Sequence, residues 1–215
     1  MQQLAWTAWE VLNSLLDKAF LRNRYLAMRH GHSLANEQGI IVSHPDNGCH
    51  GYGLSEPGKT QVETSMRRNS LLDAQTLIVT SDFKRALESA QIVQKILGAL
   101  AAPLIETRLR ERYFGELELS SDRGYDRVWC EDAVNPDSEH GGMESANQVM
   151  RRVTAVICDL EKHYKDATIL LVSHGDALQI LQTAFARRAA SDHRELEHLH
   201  TAEIRQLNLS LPDMP

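Results

Sequence analysis

The chain is poor in cysteine, has no surplus of positive charge, no linker and no long apolar run, and each absence removes a class of protein. Its three cysteines, Cys49, Cys130 and Cys158, are an odd number without a C-x-x-C spacing. Neither a zinc knuckle nor a disulfide framework is expected, and a reducing, cytoplasmic setting fits. Lysine and arginine total 23 against 29 aspartates and glutamates, a formal charge of -6, whereas nucleic-acid binding would ordinarily leave a basic face. No repeat, low-complexity segment or Pro/Gly/Ser-rich stretch divides the 215 residues. That length suits one well-cored α/β domain and is short for two.

The apolar opening "LAWTAWEVLNSLLDKAFL" is interrupted by Glu10 and Asp17, and its first basic residue is Lys18. It therefore lacks the basic start and unbroken apolar core of a signal peptide, and it is too polar to span a bilayer. Leu4, Ala8, Val11, Leu12, Leu15 and Ala19 follow helical spacing, so residues 1–22 are expected to form an amphipathic helix ahead of a domain over 23–215. The expected role of that helix is packing on its own domain. Its tryptophans Trp6 and Trp9 would also suit a homodimer contact, while the lack of lysines and arginines on its polar face argues against a membrane surface.

What the chain does contain is an alternation of short β-type runs and amphipathic helices. Strands are expected at 24–29, in "AQTLIVTS", "PLIET" and "ATILLVS", and in the closing "AEIRQLNLSL". Helices are expected after "LSEPG", in "DFKRALESAQIVQKIL", in "ESANQVMRRVTAVICDLEKHY" and in "DALQILQTAFARR". Such alternation implies a mostly parallel sheet covered on both faces, a three-layer α/β/α sandwich. Residues 112–143 show little periodicity and read as an irregular active-site loop or cap.

Three of the strands end in polar sets, "YLAM|RHGHS", "LIVT|SDFKR" and "LLVS|HGDAL". Ligands of open α/β sheets bind beyond the carboxyl ends of the strands. Parallel neighbours would gather Arg29, His30, Arg85 and His174 around one crevice. Such a cationic cluster repels itself unless an anion fills it, and the planar fork of arginine suits phosphate oxygens. Gly31 and Gly175 follow the two histidines, where glycine permits close approach of backbone to a ligand.

"RHGHSLAN", "SDFKRALESA", "LRERYFGELE" and "VSHGDAL", in this order over residues 24 to 180, resemble the histidine phosphatase superfamily, the phosphoglycerate mutase-like group. The resemblance implies that fold and assigns His30 as the nucleophile that becomes phosphohistidine. Arg29, Arg85 and Asn36 would hold the phosphoryl oxygens, His174 would complete the cradle, and Glu111 would protonate the leaving oxygen. These roles suit phosphoryl transfer, which needs positioning and charge neutralisation above all. Glu111 would have to start protonated, its pKa raised by burial or by the substrate's charge. No cofactor and no metal are implied, and the partner is a small phosphate ester.

Within that resemblance, the segment between Glu111 and His174 is short and acidic, with Arg123 and Arg127 isolated. A mutase needs further arginines to retain its substrate, so hydrolysis is favoured over mutase chemistry and over a non-catalytic phosphate-binding module. Asn36 could instead cap a turn. A metal alternative would use His30, His32 and Asp176, but an arginine beside the site is a poor neighbour for a dication. His44, His50, His140, His193, His198 and His200 have no partner spacing and are expected mostly at the surface, as are Glu116 and Glu118.

Overall fold

A computed structural model describes residues 12–210. The expected alternation folds as β1 (Arg24–Arg29), α1 (Leu34–Gln38), α2 (Pro45–Gly48), α3 (Glu56–Arg68), β2 (Leu77–Thr80), α4 (Lys84–Leu97) and β3 (Leu104–Ile105). There follow α5 (Tyr125–Asp132), α6 (Ala146–His163), β4 (Thr168–Ser173), α7 (Gly175–Phe185) and β5 (Ile204–Leu207). The sheet order is β3-β2-β4-β1-β5. All neighbours are parallel except β5, which runs antiparallel to β1.

The two-residue side-chain period of a strand divides the interior in two. Tyr25 and Ala27 of β1, with Ile169 and Leu171 of β4, face the buried stripe of α6 and α7. Leu26, Met28, Leu170 and Val172 face α3 and α4 instead. This is the expected mostly parallel α/β/α sandwich. The helix starts follow capping chemistry. Ser55 accepts the Gly58 N–H at the start of α3, and Ser145 with Gln148 forms a reciprocal capping box on α6.

Two expectations change. The helix expected over 1–22 does not continue through 12–22, where the chain turns instead. Asn13 accepts the Leu15 N–H with its Oδ1 at 3.0 Å, and its Nδ2 donates to the Ala184 carbonyl at the end of α7, also 3.0 Å away. An asparagine bonding its own neighbours offers the backbone an alternative to helix. Leu15 is fully buried in the domain's own core. The rest of that expectation, residues 1–11, lies outside the described residues.

The second change is at 112–143, which contains the helix α5 as well as irregular turns. The inner face of α5 is Val128 and Asp132. A buried aspartate breaks the apolar period that would reveal a helix. No helix among the described residues is long and apolar enough to cross a membrane.

Candidate active site

His30 lies just past the end of β1 and is buried. Its Nδ1 is 2.7 Å from the Gly31 carbonyl and its Nε2 is 3.0 Å from Arg85 Nε. A carbonyl can only accept and a guanidinium can only donate. Both partners therefore dictate the neutral tautomer with the proton on Nδ1 and the lone pair on Nε2. Burial, then the charges of Arg85 and Arg29, hold the His30 pKa well below its ordinary value, leaving the imidazole uncharged, the form a nucleophilic ring nitrogen requires.

His174 follows β4 and stands edge-on to His30, ring centroids 5.2 Å apart. Its Nε2 contacts Ser81 Oγ at 2.9 Å, and Ser81 Oγ accepts the Phe83 N–H. Burial and then Arg85 and His30 lower its pKa as well. Arg85, in the first turn of α4, also donates Nη2 to the Val42 carbonyl at 2.8 Å. Arg29 donates Nη1 to the Leu199 carbonyl and contacts His198 Nε2 at 2.7 Å.

Neither Arg29 nor Arg85 has a carboxylate partner among the described residues, and Arg29 Nε, Arg85 Nη1 and His174 Nδ1 are buried with no acceptor. Burial, opposed by Glu111, lowers the pKa of both guanidiniums. Uncompensated buried cations cost several kcal/mol, on the order of what breaking a buried ion pair costs. An anion beside His30 would satisfy them.

The two glycines differ in how closely protein atoms surround them. A Cβ on Gly31 would lie 2.6 Å from the Gly58 carbonyl oxygen, so this glycine lets the start of α3 pack against the site loop. At Gly175 a Cβ would meet the Arg29 guanidinium at 3.5 Å, an ordinary contact, so packing does not demand glycine there.

Glu111 comes from the irregular segment between β3 and α5. Its Oε1 accepts the backbone N–H groups of Arg112 at 2.9 Å and Ala177 at 3.2 Å. Burial, then the neighbouring Asp176, raises its pKa, against the pull of Arg85. A cavity of about 200 Å³ is lined by Arg29, Asn36, Glu111, Tyr125, Trp129 and His198, together with Asp122 and Asp176. Asn36 reaches this cavity, yet its Oδ1 is spent accepting from the Ser33 N–H and hydroxyl as part of the cap of α1. A second cavity of about 340 Å³ meets Glu111 from the side of Ser43, Tyr113 and Arg152.

His32 lies apart from His30 chemically: its Nδ1 is 3.2 Å from Ser55 Oγ and its N–H donates to Gln61. No group of three or more metal-ligating side chains occurs among the described residues. Asp176, weighed as a ligand, accepts Trp129 Nε1 at 3.1 Å and lies 3.7 Å from Arg112.

Several residues escaped the sequence reading. Arg112 is wholly buried and forms a bidentate pair with Asp132, at 2.5 and 2.9 Å. His193 is not at the surface: its ring is fully buried against Asp132, 3.1 Å away. Burial would raise the Asp132 pKa, but hydrogen bonds from His193 and Arg112 win and hold it below the ordinary range. His198 contacts Arg29, and Glu118 accepts from the Ser43 N–H and hydroxyl, so these two are not simply solvated either. The "RER" of residues 110–112 was the one local signal for Arg112.

The sequence matches the histidine phosphatase superfamily (branch 1) over residues 25–211. It is 27% identical over 192 residues to phosphoglycerate mutase-like protein 4 of Arabidopsis thaliana, spanning 86% of this chain and 78% of that protein. It is 30% identical over 161 residues to the probable phosphoglycerate mutase GpmB of Photorhabdus laumondii, spanning 72% and 70% of the two. The structure of a mycobacterial glucosyl-3-phosphoglycerate phosphatase shares the fold with a TM-score of 0.69 at 22% identity, covering 85% of this chain and 88% of that one.

Proposed function

The chain belongs to the histidine phosphatase superfamily, branch 1, and from that premise we propose that it hydrolyses small phosphomonoesters through a phosphohistidine at His30. The observation that carries this reading is the pair of buried donors without acceptors, Arg29 Nε and Arg85 Nη1, with His174 Nδ1 also unpartnered, around a neutral histidine whose Nε2 lone pair is held only by Arg85 Nε–H, a donor that a phosphoryl oxygen can take over. An incoming phosphoryl group would take these donors on its oxygens while Nε2 attacks phosphorus in line. The Nε2–P bond forms as the P–O bond to the alcohol breaks, and Glu111 gives its proton to the departing oxygen. The resulting carboxylate then takes a proton from water as the water oxygen attacks phosphorus, which returns Nε2 and releases inorganic phosphate.

Two guanidiniums supply the neutralising charge in this scheme, with His174 beside them as an uncharged ring. Hydrolysis is supported by the short acidic segment between Glu111 and His174, which brings no paired arginines to retain a substrate for transfer back. The names of the sequence relatives point to a mutase as the other outcome of the same intermediate. The three described cysteines are unpaired, which suits the cytoplasmic location proposed for the protein.

Incubation with labelled aryl phosphate, with and without chelator, tests the reading. Turnover should survive the chelator, and quenching should trap label that is stable to alkali and lost in acid. His30→Ala should abolish both turnover and label. Label retained on His30→Ala would move the nucleophile elsewhere. Conversion of 3-phosphoglycerate to 2-phosphoglycerate without phosphate release would replace hydrolase by mutase.

A further inference from the structure

Glu111 sits just past a single 3₁₀ turn, Thr107–Leu109, on the irregular chain between β3 and α5. Main-chain carbonyls on such a stretch need partners other than a helix or a strand ladder. Side chains supply them. Arg152, from α6, donates Nη1 to the Arg108 carbonyl at 2.6 Å and to the Arg110 carbonyl at 2.9 Å. Its Nη2 donates to the carbonyl of Glu111 itself at 3.2 Å. The Leu109 carbonyl accepts from the Ser173 hydroxyl at 2.6 Å. One guanidinium thus holds every main-chain carbonyl of residues 108–111 except that of Leu109.

The other N–H groups of Arg152 go to Glu144, Nε to Oε1 at 2.7 Å and Nη2 to Oε2 at 2.9 Å. An arginine has five N–H donors, and all five are spent here. Arg152 borders the second cavity beside Glu111, yet it keeps no donor for a ligand there. Glu144 extends the grip past the acid. Its N–H donates to the Tyr113 carbonyl at 2.8 Å, and its own carbonyl accepts Arg112 Nε at 2.7 Å. At the carboxyl end, Oε1 of Glu111 accepts the N–H groups of Arg112 and Ala177. An oxygen accepting two donors is the carbonyl-like one, so the acid proton belongs on Oε2. Where that proton points follows from the main chain that Arg152 places. A misplacement of about 1 Å can cost a reaction on the order of 10²-fold.

We propose that Arg152 is the positioning residue of Glu111, fixing through the backbone of residues 108–111 the point at which the acid meets the departing oxygen. The proposal rests on the phosphomonoesterase reading with Glu111 as its acid. It goes beyond that reading by assigning part of the acid's efficiency to a residue that touches no substrate. What Arg152 supplies is geometry. A lysine would keep the charge, including its effect on the nearby His174 ring. Its three donors radiate from one atom, however, and cannot serve a bidentate carboxylate and three carbonyls at once.

The test compares glycerol 3-phosphate, an alkyl ester, with p-nitrophenyl phosphate in the wild type, Arg152→Lys, Glu111→Gln and the double variant. The readout is the ratio of kcat/KM for the two esters, which reports the step in which the alcohol departs. A smaller folded fraction lowers both values equally and leaves the ratio unmoved. In Arg152→Lys the ratio should fall on the order of 10- to 100-fold, less than the fall of about 10²- to 10⁴-fold in Glu111→Gln. The double variant should fall no further than Glu111→Gln, because the acid that Arg152 places is already gone. An unchanged ratio in Arg152→Lys would make Arg152 a support of the fold alone and overturn the proposal. Losses that multiply in the double variant would overturn it too. Should Arg152→Lys not fold, Glu144→Gln decides, since it loosens the same guanidinium: a several-fold fall supports the proposal and an unchanged ratio ends it. A wild-type ratio retained in Glu111→Gln would instead remove the acid assignment beneath the proposal. Wild-type protein without turnover or phosphohistidine would sink the hydrolase reading itself.

Discussion

Acidification should destabilise this fold through two buried histidines, His30 and His174, and the size of the effect follows from their burial. His30 and His174 are 3% and 0% exposed, and both have pKa values well below the ordinary 6.5. The unfolded chain therefore takes up protons near pH 6.5 that the folded chain refuses. Stability from these groups is fully present above that pH and is lost as pH falls below it, at about 1.4 kcal/mol per pH unit for each histidine. Between pH 7.5 and 5.5 the two together remove roughly 2.6 kcal/mol, a large fraction of a typical domain's stability. Glu111 works in the opposite direction. Its folded pKa is raised, so the folded state takes up that proton first and regains stability as pH falls.

Urea titrations at pH 7.5, 6.5 and 5.5 would measure the sum. Comparison with His174→Asn isolates one histidine: the fall in stability over that range should shrink by about 1.3 kcal/mol, whatever the variant's stability at pH 7.5. In Glu111→Gln the opposing contribution disappears and the fall should steepen. An unchanged pH dependence in His174→Asn would show that His174 is already charged in the folded protein. The cradle would then hold a third cation, and the neutral state that burial and Arg85 impose on His174 would be wrong.

Glu111→Gln should slow alkyl phosphates about 10²- to 10⁴-fold, the range of general-acid assistance, while release of nitrophenolate in the first step changes little. For the wild type, alkyl relative to nitrophenyl turnover should fall as pH rises through the raised Glu111 pKa, because the acid is lost there; a ratio independent of pH would remove Glu111 from that role. Asp132→Ala should cost on the order of 3–5 kcal/mol in urea unfolding, since Arg112 and His193 would be left buried without their carboxylate. A loss below about 1 kcal/mol would mean that water or Asp176 takes over the pairing.

Much of this molecule is written in short stretches of its sequence. "YLAM", "LIV" and "ILLV" are apolar throughout because strands of a parallel sheet are buried on both faces, and the polar residues that follow them mark the sheet's carboxyl edge. The pairing of β1, β2 and β4 then brings Arg29, His30, Arg85 and His174 together, as those strand ends imply. Each of these facts depends on a few consecutive residues, so local pattern carries it.

The remaining features depend on contacts between distant segments. Asp132 hides α5 from a periodicity reading because its buried charge is compensated by Arg112 and His193, which lie 20 positions before it and 61 after it. His198 reads as one surface histidine among several until the 193–200 segment folds back onto Arg29, 169 residues earlier. Residues 12–22 turn despite their helical spacing, with Asn13 bonded to its own neighbour's backbone and to an acceptor that α7 supplies. The raised pKa that Glu111 needs as an acid arises only in a pocket closed by α5 and α7, for desolvation is a property of everything that surrounds a group. Local pattern determined which residues stand at the strand ends; tertiary packing decided their charge states and the shape of the cavity they face.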